Sequence, residues 1–164
     1  MTYLCFALGA DELAVPLARV REIIELSPVS RVPGAPACVR GVLSHRGQIV
    51  PLIDLHQKLF GRSVELASTR RTGVVLVEVE LDHEASVLGL LVDEVLNLRE
   101  VTAAEIVAAP PSGTPVRGDL LVGLLHDGAR VVSLLDVTRL LSMAELYAAQ
   151  DAGCLLYTSD AADE

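Results

Sequence analysis

The chain repeats itself, and the repeat limits what it can become. Displaced by 82 positions, Gly41-Val42-Leu43 falls on Gly123-Leu124-Leu125. Without a gap, Val50-Pro51-Leu52-Ile53-Asp54-Leu55 falls on Val132-Ser133-Leu134-Leu135-Asp136-Val137, and Leu59 on Leu141. A weaker echo sets AVPLARV (14–20) against GLLVDEV (89–95). Repeated units of this kind bury their apolar faces against one another. Each half is about 65–75 residues, too short to be comfortable alone, so a core shared between the halves is expected.

The local pattern says that each unit is built of short strands. Tyr3–Leu8 and Leu13–Leu17 flank Gly9-Ala10-Asp11-Glu12, a hairpin signal. In LARVREIIEL, the spacing of Leu17, Val20, Ile23 and Ile24 predicts one or two helical turns. Pro28, Pro33, Gly34 and Pro36 then break the chain. Arg40–Val42 and Gln48–Asp54 read as paired strands, followed by a short helix ending at Gly61. The second half restarts with Val74–Val79, a charged turn at Asp82-His83-Glu84 and Val87–Val92. After a loop over Pro110–Gly118, Leu120–Leu125 and Val131–Leu135 flank Asp127-Gly128, the strongest two-residue hairpin signal. Asp136 is placed to cap a helix over DVTRLLSMAELYAA, as Asp54 is placed in the first half. The fold class expected is mainly β, two small barrels packed together, with short helices and a C-terminal helix.

Composition removes several function classes. The formal net charge is −9 at pH 7, which opposes nucleic acid and anionic membrane surfaces, where basic residues supply the affinity. The longest apolar runs are far shorter than the about 20 residues that a membrane helix needs. No basic-then-apolar leader opens the chain. Cys5, Cys38 and Cys154 are odd in number and widely spaced, which suits reduced thiols in a cytoplasm. The chain is 51% hydrophobic but 3% aromatic, without Trp, so Val, Leu, Ile and Ala must fill the core.

Ser44, His45 and Asp54 are the side-chain types of a hydrolytic triad. On an extended segment, however, Ser44 and His45 point to opposite faces, and no G-x-S-x-G elbow is present. His45, His56, His83 and His126 are scattered without metal-ligand spacing, and phosphate-binding glycine loops are absent. No cofactor and no enzyme activity are expected. What the core does not absorb is polar chemistry in the first half: Glu22 between apolar neighbours, and Arg46 at the tip of a hairpin, able to pair and fix a binding face.

The closing CLLYTSDAADE (154–164) shares no pattern with what precedes it and resembles the in-frame translation of a sequencing-library adapter. Native sequence is therefore expected to stop near Gly153, with 144–153 a helix or tail. Without Asp160, Asp163 and Glu164 the net charge is −6.

The stretches YLCFALGADELAVPLARVREII, VPGAPACVRGVLSHRGQIVPLIDL, LGLLVDEVLNLREV and LLVGLLHDGARVVSLLDVTRLLS, taken together, resemble the CheW-like domain of bacterial chemotaxis coupling proteins. The resemblance spans residues 3–143. It implies one domain over 1–143, two half-barrel repeats of about 1–64 and 65–143, and two intertwined five-stranded SH3-like barrels. It implies a non-enzymatic cytoplasmic adaptor, working beside receptor arrays at the inner membrane. Its implied partners are the regulatory domain of a CheA-type histidine kinase and the cytoplasmic tip of a chemoreceptor. Family partner positions fall on Val20, Glu22, Gly41 and Arg46, with His45 beside them at the tip. The usual family form there is Asn-Leu-Arg-Gly, whereas this chain has Ser44-His45-Arg46-Gly47. That departure opens the alternative of a surface-sensing or pilus-motility coupler. A CheV-type protein with a receiver domain and a small-molecule-sensing barrel are further alternatives.

Overall fold

The computed structural model describes residues 1–26, 29–31, 33–61, 72–81, 84–108 and 120–140. The strands in chain order are β1 (Thr2–Leu8), β2 (Asp11–Pro16), β3 (Val20–Glu25), β4 (Val39–His45), β5 (Gln48–Asp54) and β6 (Gly73–Leu81). They continue with β7 (Glu84–Val92), β8 (Glu94–Glu100), β9 (Ile106–Val107), β10 (Leu121–Asp127) and β11 (Arg130–Leu135). One helix, α1 (Leu55–Phe60), follows β5. None of the described helices is long and apolar enough to cross a membrane.

These strands form two sheets, ordered β8-β1-β2-β11-β10-β9 and β3-β6-β7-β5-β4. Apart from the two-residue β9 at the edge of the first, the two orders are one order used twice. β8 matches β3, β1 matches β6, β2 matches β7, β11 matches β5 and β10 matches β4. Each half of the chain therefore lends its opening hairpin to one sheet and its remaining strands to the other. The joins are the two parallel pairings: β5 on β7, with Leu52 opposite Gly89, and β11 on β2, with Leu134 opposite Ala14. Leu52 and Leu134 correspond in the strong repeat, and Ala14 and Gly89 in the weak one.

The repeat persists in the irregularities. In β4–β5 the register shifts between Val39 and Gly41, and in β10–β11 between Leu121 and Gly123. Such bulges bend a strand and sharpen its twist. Each bulge glycine lies beneath a crossing segment. A Cβ at Gly41 would collide with the Ser30 carbonyl oxygen and lie 2.6 Å from Val29 Cγ1. A Cβ at Gly123 would lie 2.6 Å from Ile106 Cγ2 and 2.8 Å from the Val107 carbonyl oxygen. Only a residue without a side chain permits that approach. Asp54 caps α1 by accepting from the Gln57 N–H at 3.2 Å, and Asp136 accepts from the Thr138 N–H at the same distance. Gly61 ends α1 in the left-handed conformation, φ 74°, donating to the Gln57 carbonyl.

Among the described residues three apolar clusters result. The largest gathers Phe6, Leu8, Leu13 and Val15 from the first sheet with Val75, Val77, Leu88 and Leu90 from the second, so it is the shared core. Smaller ones lie on the far faces: Tyr3, Cys5, Ala14, Val132 and Leu134 on the first sheet, and Leu43, Val50, Leu52, Val74, Leu76 and Leu91 on the second. β6 sends Val75 and Val77 one way and Val74 and Leu76 the other. A strand buried on both faces reads as an unbroken apolar run, as Val74–Val79 does apart from Glu78.

Two expectations change. LARVREIIEL is not helical beyond a single 3-10 turn at Leu17–Arg19; from Val20 it is strand, half-buried and exposed residues alternating. Its β-branched residues pair with Val74, Val75 and Val77 of β6, and that ladder outweighs the helical spacing. The closed five-stranded barrels are, in the structure, two open sheets of six and five strands. Among the described residues the backbones of the edge strands β3 and β4 are joined only through the segment after β3, where Ser30 and Val42 exchange two hydrogen bonds of 2.9 Å. Leu141, the full Asp82-His83-Glu84 turn, the Pro110–Gly118 loop, the C-terminal helix and residues 154–164 lie outside the described residues.

Gly41→Ala and Gly123→Ala are each expected to destabilise the fold by about 1–3 kcal/mol, the scale of overpacking. Urea midpoints for the two variants should fall together, whereas Gly47→Ala, with open space around it, tests only the strain of a positive φ.

Candidate functional site

β4 and β5 are joined by a two-residue turn at Arg46-Gly47, with φ of 51° and 77°. Positive φ at both central positions marks the type I′ hairpin, whose twist matches its strands. Among the described residues Arg46 is the only non-glycine with positive φ. A left-handed conformation costs such a residue about 1 kcal/mol, so the turn holds Arg46 where Asn or Gly sits more easily.

Across from this tip stands β3. Its register shifts between Val20, opposite Val77, and Glu22, opposite Leu76. The shift sends the two side chains to different places. Val20 packs on the shared core, while Leu76, opposite Glu22, belongs to the small core of the second sheet. There Glu22 receives two partners. His45 Nε2 lies 3.0 Å from its Oε2, and Arg46 Nη2 lies 3.2 Å from its Oε1. Glu22 and His45 are half-buried, whereas the Arg46 side chain is 76% exposed. The hydrogen bond from His45 first, and then the charge of Arg46, hold the Glu22 carboxyl below its ordinary value against an opposing push from partial burial.

The cluster rims a groove of about 320 Å³ whose apolar floor is Val50, Leu76 and Val87. Arg21, on the rim, pairs with Glu78 of β6 at 3.6 Å. An apolar floor with charged groups converging on its edge is the form of a recognition surface for a side chain or peptide. Glu22, His45 and Arg46 are thus brought together. Gly41 sits away from the rim, beneath Ser30, and Val20 faces the shared core. The floor is not legible in the sequence: Leu76 and Val87 come from the other half of the chain, and nothing marks them apart from other strand residues.

The side chains with catalytic or metal-binding chemistry are occupied structurally. Asp54 is buried, caps α1 and lies 3.7 Å from Arg40, while His45 turns to Glu22, so His45 and Asp54 have separate partners. Burial pushes the Cys5 thiol upward, with the Glu12 carboxylate adding to it, which is the reverse of nucleophile activation. Among the described residues no three His, Cys, Asp or Glu side chains are grouped to hold a metal ion.

Residues 2–145 match the family model of the CheW-like domain. The chain belongs to the CheW-like domain family. It is 34% identical over 144 residues to the chemotaxis protein CheW of Klebsiella aerogenes, covering 88% of this chain and 83% of that protein. It is 29% identical over 143 residues to CheW of Treponema pallidum, covering 86% and 82%. Its fold is similar to that of the scaffolding protein TtCheW from Thermoanaerobacter tengcongensis, with a TM-score of 0.76 at 20% identity over 88% of this chain and 89% of that one. This CheW-like chain is a chemotaxis coupling scaffold, not an enzyme.

Because Glu22 is lowered in the folded state, its contribution to stability is present above the ordinary carboxylate range and disappears as the pH falls through the lowered value. The stability gap between the native chain and Glu22→Gln should therefore be widest near neutral pH and close in acid. Thermal melts of both proteins from neutral pH down to about pH 3, below the ordinary glutamate value, would show convergence; parallel curves would mean that the carboxylate is not held.

Proposed function

We propose that this scaffold bridges the regulatory domain of a CheA-type histidine kinase to the cytoplasmic tip of a chemoreceptor. Val20, Glu22, Gly41, His45 and Arg46 serve that contact. The observation that carries the reading is the Glu22–His45–Arg46 cluster over an apolar floor: an apolar side chain of a partner enters the groove while charged rim groups set its orientation. Glu22, His45 and Arg46 touch the partner directly. Val20 and Gly41 act from beneath, Val20 by seating β3 on the shared core and Gly41 by letting the Ser30 segment cross β4. The strained backbone of Arg46 supports this assignment, since such conformations gather where a side chain must be aimed.

The same reading takes residues 1–143 as one working unit in two half repeats, about 1–64 and 65–143, located in the cytoplasm beside the receptor array. It takes the tail over 154–164 as foreign to that unit. It also takes five strands of each sheet as curling into an SH3-like barrel, with β9 an extra short edge strand of the first. The bulges at Gly41 and Gly123 and the Ser30–Val42 bridge support such curling.

Purified chain should be retained by both a kinase regulatory domain and a receptor signalling tip. Arg46→Ala should weaken receptor retention about fivefold or more, the loss typical of an anchoring interface residue. Retention by neither partner would overturn the proposal.

A further inference from the structure

We propose that the first sheet carries a second docking groove, which takes a lysine or arginine flanked by apolar residues in a partner segment. The groove, of about 490 Å³, lies where the β1–β2 turn, β8 and the start of β11 meet. The internal repeat makes it the counterpart of the groove beside Glu22. Leu96 stands 75 positions beyond Arg21, Val87 stands 75 beyond Glu12, and Arg130 stands 82 beyond Gln48. Those six residues line the two grooves, three in each. The registers agree: Val95 stands opposite Phe6 as Val20 stands opposite Val77, and a shift follows each. The chemistry at the matched places, however, is exchanged. On the second sheet Arg21 pairs with Glu78 at 3.6 Å, and Val87 belongs to the apolar floor. On the first, Leu96 and Ala7 hold the places of Arg21 and Glu78, and Glu12 holds the place of Val87. A carboxylate thus stands where the other groove is apolar, and apolar groups stand where it has an ion pair.

Folding does not account for the exchange. Leu96 and Val131 remain 41% and 43% exposed, and both line this one groove, so apolar surface is gathered there and left in water. The charges select the occupant. Asp11 and Glu12 bring two carboxylates and Arg130 one guanidinium, so the lining carries one net negative charge. The Glu12 side chain is 20% exposed, while Arg130, 79% exposed, reaches it only at 3.9 Å. So loose and wet an ion pair contributes little, and Glu12 can exchange it for a cation seated in the groove. Lysine and arginine carry such a charge on an apolar stem. The stem lies along Ala7 and Leu96, the charged head meets Glu12 and Asp11, and a neighbouring apolar side chain covers Val131. An anionic or wholly apolar segment would instead desolvate Glu12 without compensating its charge. Docking here is independent of what the Glu22 groove on the other sheet holds.

The test is a nuclear magnetic resonance titration of the full chain with three peptides blocked at both ends: Leu-Lys-Val, Leu-Glu-Val and Gly-Lys-Gly. Leu-Lys-Val should shift the amide signals of Gly9, Ala10, Leu96 and Val131 saturably. The other two should bind about fivefold more weakly or less, since each lacks either the cation or the apolar flanks. Glu12→Gln should weaken Leu-Lys-Val binding by about fivefold, the scale of one partly exposed ion pair. Leu96→Asn, at an exposed position, should weaken it while the remaining amide signals stay in place, and Asp11→Asn provides a second charge variant beside the turn. Equal binding of Leu-Glu-Val or Gly-Lys-Gly overturns the proposal, as do shifts spread over the whole acidic surface. Unchanged affinity in the three variants, or no saturable shift with Leu-Lys-Val, overturns it as well.

Discussion

Everything in this structure depends on two short parallel pairings, β5 with β7 and β11 with β2. Among the described residues all the other strand pairings are antiparallel. The parallel pair is where the opening hairpin of one half inserts into the sheet completed by the other half. Without it, each hairpin would expose both faces and an unpaired edge, a marginal unit in water. With it, one chain of modest length makes two sheets and buries a common core between them, which neither half has enough apolar surface to build alone. The small residues at the join, Ala14 and Gly89, follow from the same demand: Gly89 packs against Val74 and Leu52, where a Cβ would lie 3.0 and 3.4 Å from their side chains.

Duplication of the architecture does not duplicate the surface. Asp127 stands 82 positions beyond His45, at the matching hairpin of the first sheet, and it pairs with Arg99 of β8 at 2.7 Å. At the second sheet the strand carries the acid, Glu22, and the tip carries the bases. At the first, the strand carries the base and the tip the acid. Two sheets of the same order thus end in tips of opposite polarity. That asymmetry gives each sheet a tip that can be told apart from the other.

Much of this is legible in one dimension. The repeat announces the doubled sheet, the Asp127-Gly128 and Arg46-Gly47 turns announce their hairpins, and Asp54 and Asp136 announce their caps, because each signal is local. The β3 segment reads as helix because its burial contrast is weak: Glu22 lies on the inward side and Ile23 on the exposed side, which blurs the two-residue period. Glu22 and Arg46 stand out as polar groups that the apolar pattern does not use. The third member, His45, is visible only as a departure from the usual tip, and its hydrogen bond to Glu22 depends on a crossing of strands that spacing does not encode.

The sequence by itself determined the class of fold, the doubling, the turns, the caps and the absence of a catalytic constellation, since all of these are written in neighbouring residues or in their recurrence. Only the tertiary structure decided that the halves exchange hairpins, that Val20 and Glu22 part company across a register shift, and that Leu76 and Val87 floor a groove rimmed by Glu22, His45 and Arg46. Those facts rest on long-range strand pairing. One residue of register determines which core a side chain enters, and a register shift is set by packing across the whole sheet, not by the residues at which it occurs.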